Sequence, residues 1–151
     1  MPEARPTMPP LKLIGHVHRG FQRIADQLLR DQGFALGQLP VLMALKDGRP
    51  RSQAELARLA QVEQPSMAQL LNRMERDGLV ERLPDPNDRR NKHMKLTQAG
   101  YEALAGMFAI SDKLRGVLLK DIPNADIVDT DNFLAQLLER IEGGLAIPGD
   151  G

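Results

Sequence analysis

Residues 52–97 read SQAELARLAQVEQPSMAQLLNRMERDGLVERLPDPNDRRNKHMKLT, and this stretch decides the fold. It opens on Ser52-Gln53-Ala54-Glu55, a capping-box pattern in which the serine hydroxyl and the glutamate satisfy backbone donors that the first helical turn leaves orphaned. Leu56, Ala57, Leu59 and Ala60 then form one apolar stripe. A break at residues 61–64 leads to Pro65, which suits a first helical position because its ring presets φ and its missing N–H would have been unpaired anyway. From there Met67, Leu70, Leu71 and Met74 recur three or four residues apart, whereas Pro65, Ser66, Gln69, Asn72, Arg73 and Arg76 fall on the other side. After Asp77-Gly78 the pattern predicts strands over 79–83 and 92–96, the second with Lys92, Met94 and Leu96 on one face. Residues 84–91, PDPNDRRN, form the tip of the hairpin between them. Two short helices, a tight turn and a strand pair with a basic loop make a module for reading DNA.

At 151 residues the chain is long enough for one domain with a core that needs neither disulfides nor metals. It has no cysteine, which excludes a thiol redox sensor, a cysteine nucleophile and thiolate zinc sites together, and suits a reducing cytoplasm. No apolar run approaches the roughly 20 residues that cross a bilayer, and Pro2, Pro6, Pro9 and Pro10 deny the first residues a signal-peptide core. A soluble cytoplasmic protein with no membrane partner is the expectation. The formal net charge is zero, but its distribution is uneven. Residues 1–48 carry six bases and four acids, residues 49–95 ten and seven, and residues 96–151 four and nine. The base excess covers the reading module, and the acidic C-terminal third is expected to face away from phosphates.

The flanks are helical. Ile14, Val17, Phe21, Ile24 and Leu28 step by three and four residues, a stripe suited to packing on another helix, and Gly33 ends it. Leu39, Leu42 and Leu45 mark a short helix in which Pro40 fits only the first turn. Thr97 is a plausible cap for a long helix with Tyr101, Leu104, Met107, Phe108, Leu114 and Leu118 as its buried side. Past Pro123-Asn124, Ile127, Leu134, Leu138, Ile141 and Leu145 stripe a last helix, and residues 148–151 read as a disordered tail. The expected division is a flexible arm over 1–10, a helical dimerisation region from 11–35 and 97–147, and a DNA-binding lobe over 36–96, integrated into one domain. Three striped helices are more apolar surface than the compact module covers, so a second copy of the chain is the economical cover; an ordinary monomeric helical core is the alternative.

At this point several pieces align. Leu56-Ala57, Gln64-Pro65-Ser66, the run from Arg73 to Arg82 (RMERDGLVER), Asp85-Pro86-Asn87-Asp88-Arg89-Arg90 and Leu96-Thr97-Gln98-Ala99-Gly100 together resemble the MarR family of bacterial transcription regulators. Residues 63–66 are most similar to its SlyA-like branch. The resemblance implies a mainly α fold with a small β-hairpin wing, a winged helix-turn-helix whose N- and C-terminal helices form a homodimer. It further implies binding to a pseudo-palindromic operator as a repressor, with an activator as the alternative, bacterial nucleoid association, and a pocket between the dimer helices and each DNA-binding lobe where phenolic or other aromatic ligands loosen DNA binding. Arg90 resembles the family's groove-inserting residue. Where many members carry arginine this chain has Gln69, so the preferred bases do not transfer.

On the residues themselves, side chains near the N-terminus of the second helix are placed to read the major groove. Ser66, Gln69 and Arg73 lead: Gln69 matches adenine, Arg73 matches guanine or a phosphate, and Pro65 or Met67 suits a thymine methyl group. Asn72 and Arg76 share that face. Arg89 and Arg90 suit a narrow minor groove, where the negative potential is deepest. Asp88 would be repelled by phosphates, so its expected role is to pair with Arg90 or with a recognition-helix arginine and fix its direction; a charged turn with no function is the alternative. Lys92, Lys95, Ser52 and Gln53 are expected on phosphates, which position without specifying sequence. His16 and His18 lie two apart on a helix and His93 lies in the wing, so no metal site is expected, and no cofactor. His16, Arg19, Arg23 and Met43 are candidates to line a pocket for an anionic aromatic effector, with dimer packing and solvated charge as the alternative. The chain lacks a paired nucleophile and base, a glycine-rich phosphate loop and metal-ligand spacing, which argues against an enzyme. A winged-helix module that binds only a protein partner is the remaining alternative; it needs neither Arg90 nor Gln69.

Overall fold

The computed structural model describes residues 8–146. The expected tail and residues 1–7 of the expected arm lie outside the described residues, and Pro10, placed in the arm, is the first residue of a helix. Six helices and three strands follow in the order α1 (Pro10–Asp31), a single 3₁₀ turn (Leu36–Gln38), α2 (Leu39–Leu45), β1 (Arg51–Ser52), α3 (Gln53–Ala60), α4 (Gln64–Arg76), β2 (Val80–Pro84), β3 (Lys92–Leu96), α5 (Gln98–Leu118) and α6 (Asn124–Glu142). The described residues divide into two compact units, one running to Leu114 and the other beginning at Arg115.

In the first unit each stop and start has a local cause. The Ser52 hydroxyl accepts the Glu55 N–H at 3.1 Å and caps α3. Gln61, at φ 54°, closes α3 in the left-handed region and turns the chain into α4. That helix begins one residue before Pro65, which still sits in the first turn, where no N–H partner is required. Gly78, at φ 76°, reverses the chain while the Leu79 N–H returns to the Met74 carbonyl at 2.9 Å. Thr97 caps α5 as its position predicts: its Oγ1 accepts the Gly100 N–H at 3.1 Å and donates to the Gly78 carbonyl.

The sheet is a three-stranded antiparallel one, not a strand pair. Its order is β1-β3-β2, with Arg51 opposite Met94, Ser52 opposite His93, and β2 running from Val80 opposite Leu96 to Pro84 opposite Lys92. A two-residue strand is too short to alternate, so its sequence carries no period to detect. It is held instead by Arg51, whose Nε donates to the Ala44 carbonyl at 2.8 Å and whose Nη2 meets Asp47 at 3.0 Å. The core joins all these elements: Val41, Leu42 and Leu45 from α2, Leu56 from α3, Met67, Leu71 and Met74 from α4, and Val80, Met94 and Leu96 from the sheet are buried. Ala103, Leu104 and Met107 of α5 and Leu29 of α1 close it. Burial of this apolar area is the main stabilising term, about 1.5–3 kcal/mol for each large side chain.

The expected buried side of α5 holds for Leu104, Met107 and Leu114, with Tyr101 partly buried, but Phe108 and Leu118 are exposed. The stripe on α1 is largely uncovered as well, with Ile14, Val17, Phe21, Ile24 and Leu28 all exposed. Taken by itself, α6 contains no buried residue and exposes Val128, Phe133, Leu134, Leu138 and Ile141. No helix among the described residues is long and apolar enough to cross a membrane.

Candidate nucleic-acid interface

The outer face of α4 is set by its inner one. Because Met67, Leu71 and Met74 are fully buried, the helical period turns Pro65, Ser66, Gln69, Asn72, Arg73 and Arg76 to solvent, and all six are exposed. Met67 is a correction to the sequence reading. At 0% exposure it is a core residue that cannot reach a thymine methyl group, and Pro65 is left as the apolar candidate at this end of the helix.

Beside α4, the wing and the start of α3 enclose a concave cleft of about 510 Å³. Ser52, Gln53 and Ala54 line it from β1 and α3, Gln64 from the first turn of α4, and Arg82, Arg90, Asn91, Lys92 and Met94 from the wing. Sequence reasoning thus placed Ser52, Gln53, Arg90 and Lys92 in one site, and the fold brings these four together. Arg90 and Lys92 face the cleft with no carboxylate among its lining residues, while the third cation, Arg82, is paired with Glu75; the two open charges make it a site of positive potential. Lys95 is not part of it. In β3 it alternates with Met94 and Leu96 and lies opposite Glu81, on the other face of the sheet from Lys92.

Asp88 also departs from expectation. Its Oδ1 accepts the backbone N–H of Arg90 at 2.9 Å and its Oδ2 lies 3.4 Å from the Asn91 amide. Among the described residues no ion pair links it to the side chain of Arg90 or Arg73. The carboxylate shapes the turn that presents Arg89 and Arg90, an Asx turn, rather than steering a guanidinium. A second Asx turn at Asp85, accepting from the Asn87 N–H at 2.9 Å, and the Asp85 N–H to Asn91 carbonyl bond at 3.1 Å close the tip. Asp85 also faces His93 Nε2 at 3.5 Å.

Two residues that line the cleft, Gln64 and Arg82, are not among the candidates drawn from sequence, although both fall within the stretches that resemble the family. Arg82 reaches back across α4, its Nε 2.5 Å from Glu75 and its Nη2 bonded to the Asn72 side-chain oxygen. The alternation of β2, which puts Arg82 on the same face as Val80, was the available signal.

The effector candidates do not converge. His16, Arg19 and Arg23 are exposed along α1, while Met43 lines a separate shallow groove with Pro40, Ala44, Lys46, Asp47, Arg51 and Leu59. A small apolar cavity of about 70 Å³ lies elsewhere in the first unit, between Phe21, Ala25 and Leu29 of α1, Leu36, Leu39, and Met107, Ile110, Ser111 and Leu114 of α5. None of the four candidates lines it.

A helix-turn-helix whose exposed second helix adjoins a hairpin with a cationic cleft defines a winged helix-turn-helix protein. A family model described as "MarR family" matches residues 32–91, which contain α2 through the wing tip. The solved structure of the transcriptional regulator PA3341 is similar at 30% identity, with 88% of this chain and 98% of that one covered and a TM-score of 0.70. Wild-type apo MarR from E. coli is similar at 24% identity, over 89% of this chain and 99% of that one, with a TM-score of 0.77. A mutant E. coli MarR complexed with operator DNA matches at 25% identity, over 87% and 94%, with a TM-score of 0.72. The chain belongs to the MarR family of transcriptional regulators.

Proposed function

We propose that the protein is a homodimeric, sequence-specific regulator that binds double-stranded DNA at an inverted repeat and acts as a repressor. The observation that carries the reading is the cationic cleft joining the wing to the exposed polar face of α4. In this reading the α4 face enters the major groove, with Ser66, Gln69 and Arg73 on base edges, Pro65 near thymine methyl groups, and Asn72 and Arg76 flanking them. Arg89 and Arg90 enter the adjoining minor groove, and Ser52, Gln53 and Lys92 hold the intervening phosphates. The similarity to an E. coli MarR complexed with operator DNA supports DNA as the partner. Residues 36–96 form the reading lobe. The apolar stripes of α1 and α6, exposed in the single chain, are what a second copy would cover, and residues 11–35 and 97–147 form that platform. Two recognition helices about 34 Å apart then demand a two-fold symmetric site. The protein works in the cytoplasm, on nucleoid DNA.

The effector reading changes in character from the one drawn from sequence. The cavity against α1 and α5 has Ser111 as its one polar lining side chain, which favours a neutral aromatic compound over an anion. At about 70 Å³ it is smaller than the ~150 Å³ that hold benzene, so a ring fits only if lining side chains, of which Phe21 is 39% exposed, move apart. Phe21 lies on the α1 stripe, which couples occupancy to the platform.

Selection of bound sequences from random duplexes tests the central reading. An enriched inverted repeat is expected, together with loss of most specific binding in an Arg89→Ala/Arg90→Ala variant that remains folded and dimeric. The absence of any enriched repeat, or intact binding by that variant, would overturn it. For the effector, stabilisation in a thermal-shift screen by neutral aromatics but not aromatic acids is expected.

A further inference from the structure

Arg82 lies on β2 with its guanidinium directed across the middle of α4. It bonds two side chains one helical turn apart on that helix, Asn72 through Nη2 and Glu75 through Nε. A guanidinium has five donors and no acceptor, so the amide oxygen of Asn72 alone can face it. The amide is therefore held one way round, with its NH₂ group directed away from Arg82. Glu75, 2.5 Å from Nε, occupies the other side of the fork and neutralises the charge at short range. The Arg82 side chain is 28% exposed, the least among the arginine side chains of the wing and α4 whose ion pairs are described.

We infer that Arg82 is a positioning residue of the reading surface: it locks the wing strand to α4 and fixes the amide of Asn72 so that this side chain meets DNA as a hydrogen-bond donor. The inference rests on the DNA-binding reading and deepens it. Without the clamp Asn72 is free to rotate through both amide orientations and loses entropy when it engages, while the wing and α4 are no longer tied through these side chains. With it, donors of one orientation are set in place, which selects acceptors on DNA, whether a phosphate oxygen or the acceptor edge of guanine or thymine. Arg82 thus acts through Asn72, in contrast to Arg90 and Lys92, whose charges are open to the cleft.

The test is a double-mutant cycle on DNA binding with the full-length chain, using the inverted repeat that the wild-type protein selects and following fluorescence anisotropy across a salt series. Arg82→Ala is expected to weaken binding about 5–10-fold, Asn72→Ala by a similar factor, and the double variant by no more than the stronger single, because both remove one device. The slope of log affinity against log salt is expected to stay unchanged in Arg82→Ala, since Arg82, paired with Glu75, neutralises no phosphate and a neutral amide releases no counterion. Asn72→Asp keeps a partner for Arg82 and so serves if Arg82→Ala fails to fold. It removes the donors, and a loss of at least 10-fold with an unchanged melting temperature is expected. Additive losses with a salt slope reduced by about 0.9 would make Arg82 a direct phosphate ligand and overturn the inference. Wild-type affinity in Arg82→Ala, or in Asn72→Asp, would overturn it equally. These results leave the wild-type selection intact, whereas a wild-type chain that selects no inverted repeat removes the DNA-binding reading and this inference with it.

Discussion

Gly100 tests the seam between the wing and α5. It lies in the first turn of α5, and a β-carbon built on it would sit 2.2 Å from the Leu79 carbonyl oxygen and 3.2 Å from Leu96 Cδ2. The obstacle is backbone, not the end of a flexible side chain, and it is already engaged: the Leu79 oxygen accepts the Thr97 N–H at 3.1 Å. Gly100→Ala therefore has to move the chain by about 1 Å where it enters β2. Overpacking of this kind costs about 1–3 kcal/mol, and loss of the Thr97 bond adds about 1 kcal/mol. The higher helix propensity of alanine offsets about 1 kcal/mol, so a net loss of about 1–3 kcal/mol remains. For a chain of this size that lowers Tm by roughly 2–12 °C. Circular dichroism with thermal and urea melts measures it, with Gly37→Ala as control, an exposed position where a β-carbon meets nothing within 4 Å and little change is expected. A Gly100→Ala protein as stable as the parent would refute the close approach on which the estimate rests.

At the wing tip, Asp88→Asn keeps an acceptor for the Arg90 N–H and removes a charge that opposes phosphates, so DNA affinity is expected to hold or rise slightly. Asp88→Ala loses the turn and about 0.5–1.5 kcal/mol of ordering, a two- to tenfold weakening in anisotropy titrations. Equal losses in the two variants would restore the ion-pair role. Asp47 is held below its ordinary value of 3.8, first by the Arg49 backbone N–H and further by the Arg51 guanidinium. A lowered carboxylate pKa stabilises the fold above the ordinary value, and the contribution is lost as pH falls through the lowered one. Asp47→Asn is thus expected to melt below the parent at pH 7, with the gap closing in acid; a gap independent of pH would contradict this. Charged substitutions on the α1 stripe, such as Val17→Glu, are expected to give a folded single subunit in sedimentation and to abolish high-affinity operator binding.

Much of the reading lobe was legible because its signals are local. The capping serine at residue 52, Pro65 in a first turn, Gly78 after α4 and Thr97 before α5 each act over five residues or fewer, and each appears where the sequence places it. The face of α4 followed from period alone. Met67 falls both on the apolar stripe and at the groove-facing end of α4, and burial settles which role it takes. Asp88 carries a charge suited to an ion pair, but the backbone of its own turn lies within shorter reach. Alternation in β2 gives the face of Arg82 but not its partners, and the two-residue β1 gives no signal at all: Asn72 and Glu75 in one case, and Met94 and His93 in the other, are brought close by the turn and the wing, not by local spacing.

The order of elements, their caps and the polarity of each helical face are written in the amino-acid order, since these depend on dihedral preference and on contacts within one or two turns. Tertiary structure alone decided which cations share a cleft, which way an amide points, and that the α1 stripe stays open in a single chain. Those outcomes are set by packing between residues far apart along the chain, where alternation and helical period carry no information about distance.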